Sequence, residues 1–168
     1  MRKAKAFTLI EILVVVVLLG ILAAIVIPAI ANSSISAKQS ALATDLQLLR
    51  RFVLIYECQH REVSPGYPDG DTTQTPTEQA FVEQATLASN AAGQTAQRGT
   101  PGFNRGPYMM KVPVNPMNGK SDVQMLGDAE NFPANADDSH GWICKAATSE
   151  IRADSSGSDS NAKRYYDY

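Results

Sequence analysis

One stretch constrains this chain more than any other. From Ile12 to Ala31 the sequence is an almost unbroken run of Ile, Leu, Val and Ala, and between Lys5 and Lys38 the only formally charged side chain is Glu11. About twenty apolar residues is the length a helix needs to cross a bilayer. In lipid each backbone N–H and C=O must be satisfied within the segment, so a lone span has to be helical despite its many β-branched residues. Arg2, Lys3 and Lys5 precede the run. The positive-inside rule keeps such an end in the cytoplasm and places the rest of the chain outside it.

Glu11 separates the readings of this segment. A secretory signal peptide also combines a basic start, an apolar core and a small-residue exit, and Ala29–Ala31 resembles such an exit. That reading gives a soluble exported binding domain cleaved after Ala31. The run is longer than a usual signal core, however, and carries an acid near its start. A plain anchor leaves Glu11 unexplained, because an ionised acid in hydrocarbon costs on the order of 2.5 kcal/mol or more without a partner.

The stretch "KAFTLIE" (Lys5–Glu11), with its basic leader and the apolar run through Gly20 to Pro28, resembles the processing site of the type IV pilin and type II secretion pseudopilin family. The resemblance implies a leader at 1–6, cleavage between Ala6 and Phe7, and N-methylation of Phe7. The family usually has Gly where this chain has Ala6; both are small. It also implies a role for Glu11. A free α-amino group has an ordinary pKa of about 8, so the Phe7 amine is largely cationic at neutral pH. In a filament, Glu11 of one copy meets the Phe7 amine of a neighbour. Two buried charges are tolerable only as a pair, and a polar residue that fixes register is the best-attested use of buried charge. Pro28 resembles the proline that kinks the family's helix.

Beyond the run, Asn32 to His60 contains neither Pro nor Gly, and Leu42, Leu46, Leu49, Val53 and Tyr56 recur at spacings of four and three. This is one apolar face of a helix. A single helix from Phe7 to His60 has a length of roughly 80 Å, with Pro28 removing one internal hydrogen bond and bending or melting it locally. The expected organisation is a leader at 1–6, a transmembrane and filament-core helix at 7–31, its amphipathic continuation at 32–60, and a globular domain at 61–168. That domain has a thin core, since only 7% of the chain is aromatic.

Ser64–Pro76 is rich in turn residues. A short helix follows, with Thr75 as its N-cap, Pro76 in the first position and Glu78 closing a capping box, and with Phe81, Val82 and Ala85 facing inward. Asn90–Gly106 reads as a polar loop. "GPYMMKVPVNPMNG" (Gly106–Gly119) cannot be helical, with prolines at 107, 113 and 116, and resembles the segment that leads into the sheet of major pseudopilins. Val123 and Met125 alternate with polar residues as in a short strand. "GWICKAATSEIRAD" reads as a hairpin, with Trp142 as a core residue and Trp142/Cys144 and Ile151/Ala153 on shared faces. The fold class is therefore α+β: a long N-terminal helix with a small C-terminal antiparallel sheet on its outer half.

No catalytic set is visible. A P-loop and Gly-x-Ser-x-Gly are absent. Cys58, His60, His140 and Cys144 lack the spacing of a zinc hook. The net charge of −2 becomes −5 once Arg2, Lys3 and Lys5 are removed, which disfavours a bulk nucleic-acid binder. Cofactors are not required. The resemblance offers calcium as the one ion, with Asp122, Asp128, Asp137 and Asp138 as candidate oxygen donors, alongside Glu130, Asp154 and Asp159; since no ligand spacing here is diagnostic, solvated loop charge is the simpler reading of these acids. Cys58 and Cys144 are the only cysteines. Outside the cytoplasm they form a disulfide closing a long loop, worth about 4.5 kcal/mol by chain entropy, or they remain two buried thiols.

The resemblance implies a structural subunit, not an enzyme: a homo-oligomeric helical filament built from inner-membrane monomers. Its expected partners are a prepilin peptidase and N-methylase, a platform protein, an assembly ATPase and minor pilins or pseudopilins. A type II secretion pseudopilus in the periplasm is the first reading. A surface pilus for adhesion, motility or DNA uptake is the second.

Overall fold

The computed structural model describes residues 8–168. The chain divides after Lys38 into two units, Met1–Lys38 and Gln39–Tyr168. One helix, α1 (Leu9–Gln59), contributes to both. It stays helical through position 28, so the expected melting at Pro28 does not occur.

In the second unit, α1 forms because its apolar residues return every three or four positions and all land on one side. Leu42, Leu46, Leu49, Phe52, Val53 and Tyr56 are buried together. Fully burying a side chain of this size contributes about 1.5–3 kcal/mol. The helix stops where Arg61 (φ 59°) and Glu62 (φ 64°) turn left-handed, and the Glu62 N–H donates to the Glu57 carbonyl at 3.0 Å. This closes one of the carbonyls that a helix end leaves open.

Helix α2 spans Glu78–Thr86 and buries Phe81 and Ala85 against the same core. Its N-cap is Thr77, whose hydroxyl accepts from the Ala80 N–H at 3.2 Å. The cap expected at Thr75 is thus two residues too early. Glu78, now the first helical residue, cannot reach back to close a capping box. Its carboxylate accepts from the Val123 N–H at 3.0 Å and ties α2 to the sheet.

The polar segment after α2 holds a two-residue antiparallel pair, β1 (Ala88–Ser89) with β2 (Thr95–Ala96). Gly70 lies so close to this turn that a Cβ there would sit 1.9 Å from the Ala92 carbonyl oxygen, at φ +72°. Only glycine fits both constraints.

The main sheet has three strands in the order β3 (Val123–Leu126), β4 (Trp142–Lys145), β5 (Glu150–Ala153). β4 and β5 form the expected antiparallel hairpin, with Trp142 opposite Ala153 and Cys144 opposite Ile151. All four of these side chains are buried. β3 runs parallel to β4, so the sheet is mixed and not purely antiparallel. The reason is the 127–141 connection, which is long enough to cross over and start β4 from the same end as β3. The Trp142 Nε1–H donates to the Pro113 carbonyl at 2.9 Å, so burying the indole costs no unpaired donor. The tail docks: Tyr165 and Tyr166 are buried, and the Tyr165 hydroxyl accepts from Gln39 at 3.1 Å.

Candidate assembly site

Among the described residues, the first unit presents no core of its own. Leu9–Ile27 is long and apolar enough to cross a membrane, and its side chains are exposed throughout. An apolar face of this size in a folded chain calls for lipid or protein around it.

At the start of this span, Thr8 and Glu11 hold each other. The Thr8 N–H donates to Glu11 Oε2 at 2.8 Å, the Thr8 hydroxyl donates to the same oxygen at 2.7 Å, and the Glu11 N–H lies 3.3 Å from Thr8 Oγ1. This is a capping box, with Thr8 at the N-cap and Glu11 three residues on. An acid in the first turn also faces the positive end of the helix dipole. The sequence carries the signature in Thr8-x-x-Glu11, yet the reading of Glu11 as a register residue passes over it. Ala6 and Phe7, the expected processing positions, lie outside the described residues.

Cys58 and Cys144 are both free thiols, so the expected disulfide is not formed. The cause is helical phase. Tyr56 and His60 face the core, and Cys58, two residues from each, is turned out to solvent, while Cys144 is wholly buried in β4. Burial, with a smaller contribution from Glu57, pushes the Cys144 thiol up to about 12.

The four aspartates expected to hold calcium are spent separately. Asp122 accepts from the Gly141 N–H at 3.1 Å and lies 3.9 Å from His140 Nε2. Asp128 accepts from the Tyr67 hydroxyl at 2.8 Å. Asp137 accepts from the Ser139 N–H at 2.9 Å, and Asp138 from the Ser156 N–H at 2.9 Å and its hydroxyl. Among the described residues no three His, Cys, Asp or Glu side chains are placed to hold a metal ion. As arranged, these carboxylates do not form a chelating set.

What organises the 127–141 connection is Asp154, which the sequence reading offers only as a further calcium donor. Its buried carboxylate accepts from the Asp137 N–H (3.0 Å), the His140 N–H (2.8 Å) and the Ser139 hydroxyl (3.2 Å).

His60 is likewise structural. It is buried, stacks on Tyr56 at 3.8 Å, and places Nδ1 2.8 Å from the Tyr56 carbonyl and Nε2 3.0 Å from Ser89 Oγ. A carbonyl only accepts, so Nδ1 carries the proton and neutral Nε2 accepts from Ser89. Burial is the main cause that lowers its pKa, and Arg105 adds to it; the Tyr56 carbonyl works the other way.

Comparison with known proteins fits this geometry. The family described as "Prokaryotic N-terminal methylation motif" matches residues 1–27. Three relatives carry the name type II secretion system core protein G. The Pseudomonas aeruginosa protein is 30% identical over 115 residues, 68% of this chain and 69% of that one. The Vibrio cholerae protein is 29% identical over 146 residues, 84% of this chain and 86% of its own. The Klebsiella pneumoniae protein is 28% identical over 131 residues, 78% and 80% of the two chains. No solved structure matches the chain. An N-terminal methylation motif, an exposed apolar helix capped by Glu11, and a likeness that extends far beyond the span together place the molecule: the chain belongs to the type II secretion system core protein G family.

Proposed function

We propose that this chain is a structural subunit, not an enzyme, that polymerises into the pseudopilus of a type II secretion system. The observation that carries this reading is the reach of the likeness. A shared export or methylation signal would account for residues 1–27 alone, whereas the match to core protein G covers 84% of the chain in one relative.

In this reading a prepilin peptidase removes 1–6 and methylates Phe7. The monomer waits in the inner membrane, N-terminus inward, with the Gln39–Tyr168 unit outside the cytoplasm. A platform protein and an assembly ATPase lift it into the fibre, beside minor pseudopilins. The span then leaves lipid for other spans, one apolar medium for another. Packing and polar pairing, not hydrophobic transfer, therefore decide the register. Glu11 supplies the charge that the neighbour's Phe7 amine needs.

Assembly requires no cofactor in this reading. Calcium at Asp122, Asp128, Asp137 and Asp138 stands only as a separate proposal from the resemblance, and it requires these carboxylates to leave their present partners and converge. It predicts melting that rises with calcium and falls with chelator, and unchanged melting removes it. The reading as a whole is tested by overexpressing the chain with its secretion genes and imaging sheared cell-surface material. Fibres that contain this chain support it. Their absence when the peptidase is active counts against it.

A further inference from the structure

In the Gln39–Tyr168 unit, the exposed large hydrophobic side chains fall into two groups: Leu48 (42% exposed), Leu54 (61%) and Ile55 (38%) on α1, and Met110 (98%) and Val114 (46%) on the segment before β3. From this we propose that the Met110 tip of one copy docks on the outer α1 stripe of the next. The proposal rests on the filament reading and names the contact between copies outside the membrane.

The α1 stripe is a second apolar face. Leu48, Arg51, Leu54, Ile55 and Cys58 are exposed, while Leu49, Val53, Tyr56 and His60 on the same turns are buried. The inner face already serves the core, while the apolar residues opposite belong to no buried cluster among the described residues. They lie on the same helix as the span that the filament reading packs between copies, so a second copy is their natural occupant.

The Met110 tip is held, not loose. The N–H groups of Tyr108 and Met109 both donate to the Ala85 carbonyl, at 3.0 and 3.1 Å. The Tyr108 hydroxyl donates to Gln59 Oε1 at 2.6 Å, and Val112 is buried just beyond. Met110 is thus a flexible, adaptable side chain on a fixed base. Presenting an apolar knob this way lowers the ordering cost of docking.

Two unlike patches are what a fibre needs. A patch that pairs with itself closes a two-fold dimer, whereas a patch that pairs with a different one repeats head to tail into an open helix. Arg51 and Lys111 flank the two patches with the same sign. These two cations offer the contact no ion pair and repel across it, so salt, which screens the repulsion, should strengthen it and not weaken it.

The test uses the full chain in assembling cells. Cys58 is the exposed native thiol on the stripe and Cys144 is buried, so Met110→Cys adds one thiol at the other patch. Treating sheared fibres with a flexible bis-maleimide should give a ladder of covalent multimers for Met110→Cys and none for the native chain. Met110→Asp and Leu54→Asp should each lower fibre yield about tenfold or more, tenfold being 1.4 kcal/mol, and Met110→Leu should restore it. Native-looking fibres from both Asp variants, or cross-linking through Cys58 alone, would overturn the contact and leave the filament reading standing. No fibres from the native chain would overturn both.

Discussion

Thr8 and Glu11 close a capping box at the first turn of α1, with the Thr8 N–H 2.8 Å and its hydroxyl 2.7 Å from the same carboxylate oxygen. Glu11 therefore has a partner in the isolated chain before any neighbour arrives. In the filament reading it exchanges or shares that partner with the neighbour's amine. Glu11 serves two roles that substitution can separate.

Glu11→Gln keeps an oxygen for the cap and removes the charge. Thr8→Ala removes the cap and keeps the charge. Both should insert into membrane normally. Only Glu11→Gln should lose fibres, scored by immunoblot of sheared material in cells without native subunits. Native fibre yield from Glu11→Gln would show that charge does not set register.

The free thiols give a direct check of helix phase. In folded protein under non-reducing conditions, Cys58 should alkylate readily and Cys144 only after unfolding, because the thiolate is the reactive form and burial suppresses it. Melting should be unchanged by reductant. Recovery of a Cys58–Cys144 disulfide by mass spectrometry would contradict the structure.

His60 predicts a pH dependence. Its folded pKa lies below the ordinary value of about 6.5. The unfolded chain therefore binds the proton first, and stability falls as pH drops from about 6.5 through the folded pKa. The groups facing it are Tyr56, Ser89, Tyr108, Arg105 and the Asn90 backbone; the two backbone groups, of Tyr56 and Asn90, favour the cation, and no acid stands among them. His60→Gln should flatten the slope of melting temperature below about pH 6.5. An unchanged slope would assign it to other groups.

Asp154→Ala should free the 127–141 connection. It leaves the part-exposed N–H groups of Asp137 and His140 without their acceptor, which costs less than the about 1–3 kcal/mol of a fully buried donor because water can replace the carboxylate. Asp154→Asn keeps one acceptor oxygen and should cost less. Urea unfolding of the two variants measures the difference, and equal stability of Asp154→Ala and the native chain would remove Asp154 from this role.

These elements also mark what was readable in advance. The Leu42-to-Tyr56 stripe was legible because a 3.6-residue period is local. The same period places Cys58 off the core face, which argues against pairing it with the buried Cys144. The α2 cap was misplaced because Thr75-Pro76 imitates a helix start that Thr77 supplies. The parallel β3–β4 pairing and the Asp154 network were not legible, since each joins residues far apart in sequence. The capping box was legible in Thr8-x-x-Glu11 and was hidden by the membrane context.

The central claim is that this chain is a processed, membrane-launched filament subunit. Intact-mass and N-terminal analysis of the protein recovered from cells tests it most directly. A chain that begins at a methylated Phe7 is the predicted result. A chain that still begins at Met1, or one that begins at Asn32, would contradict it.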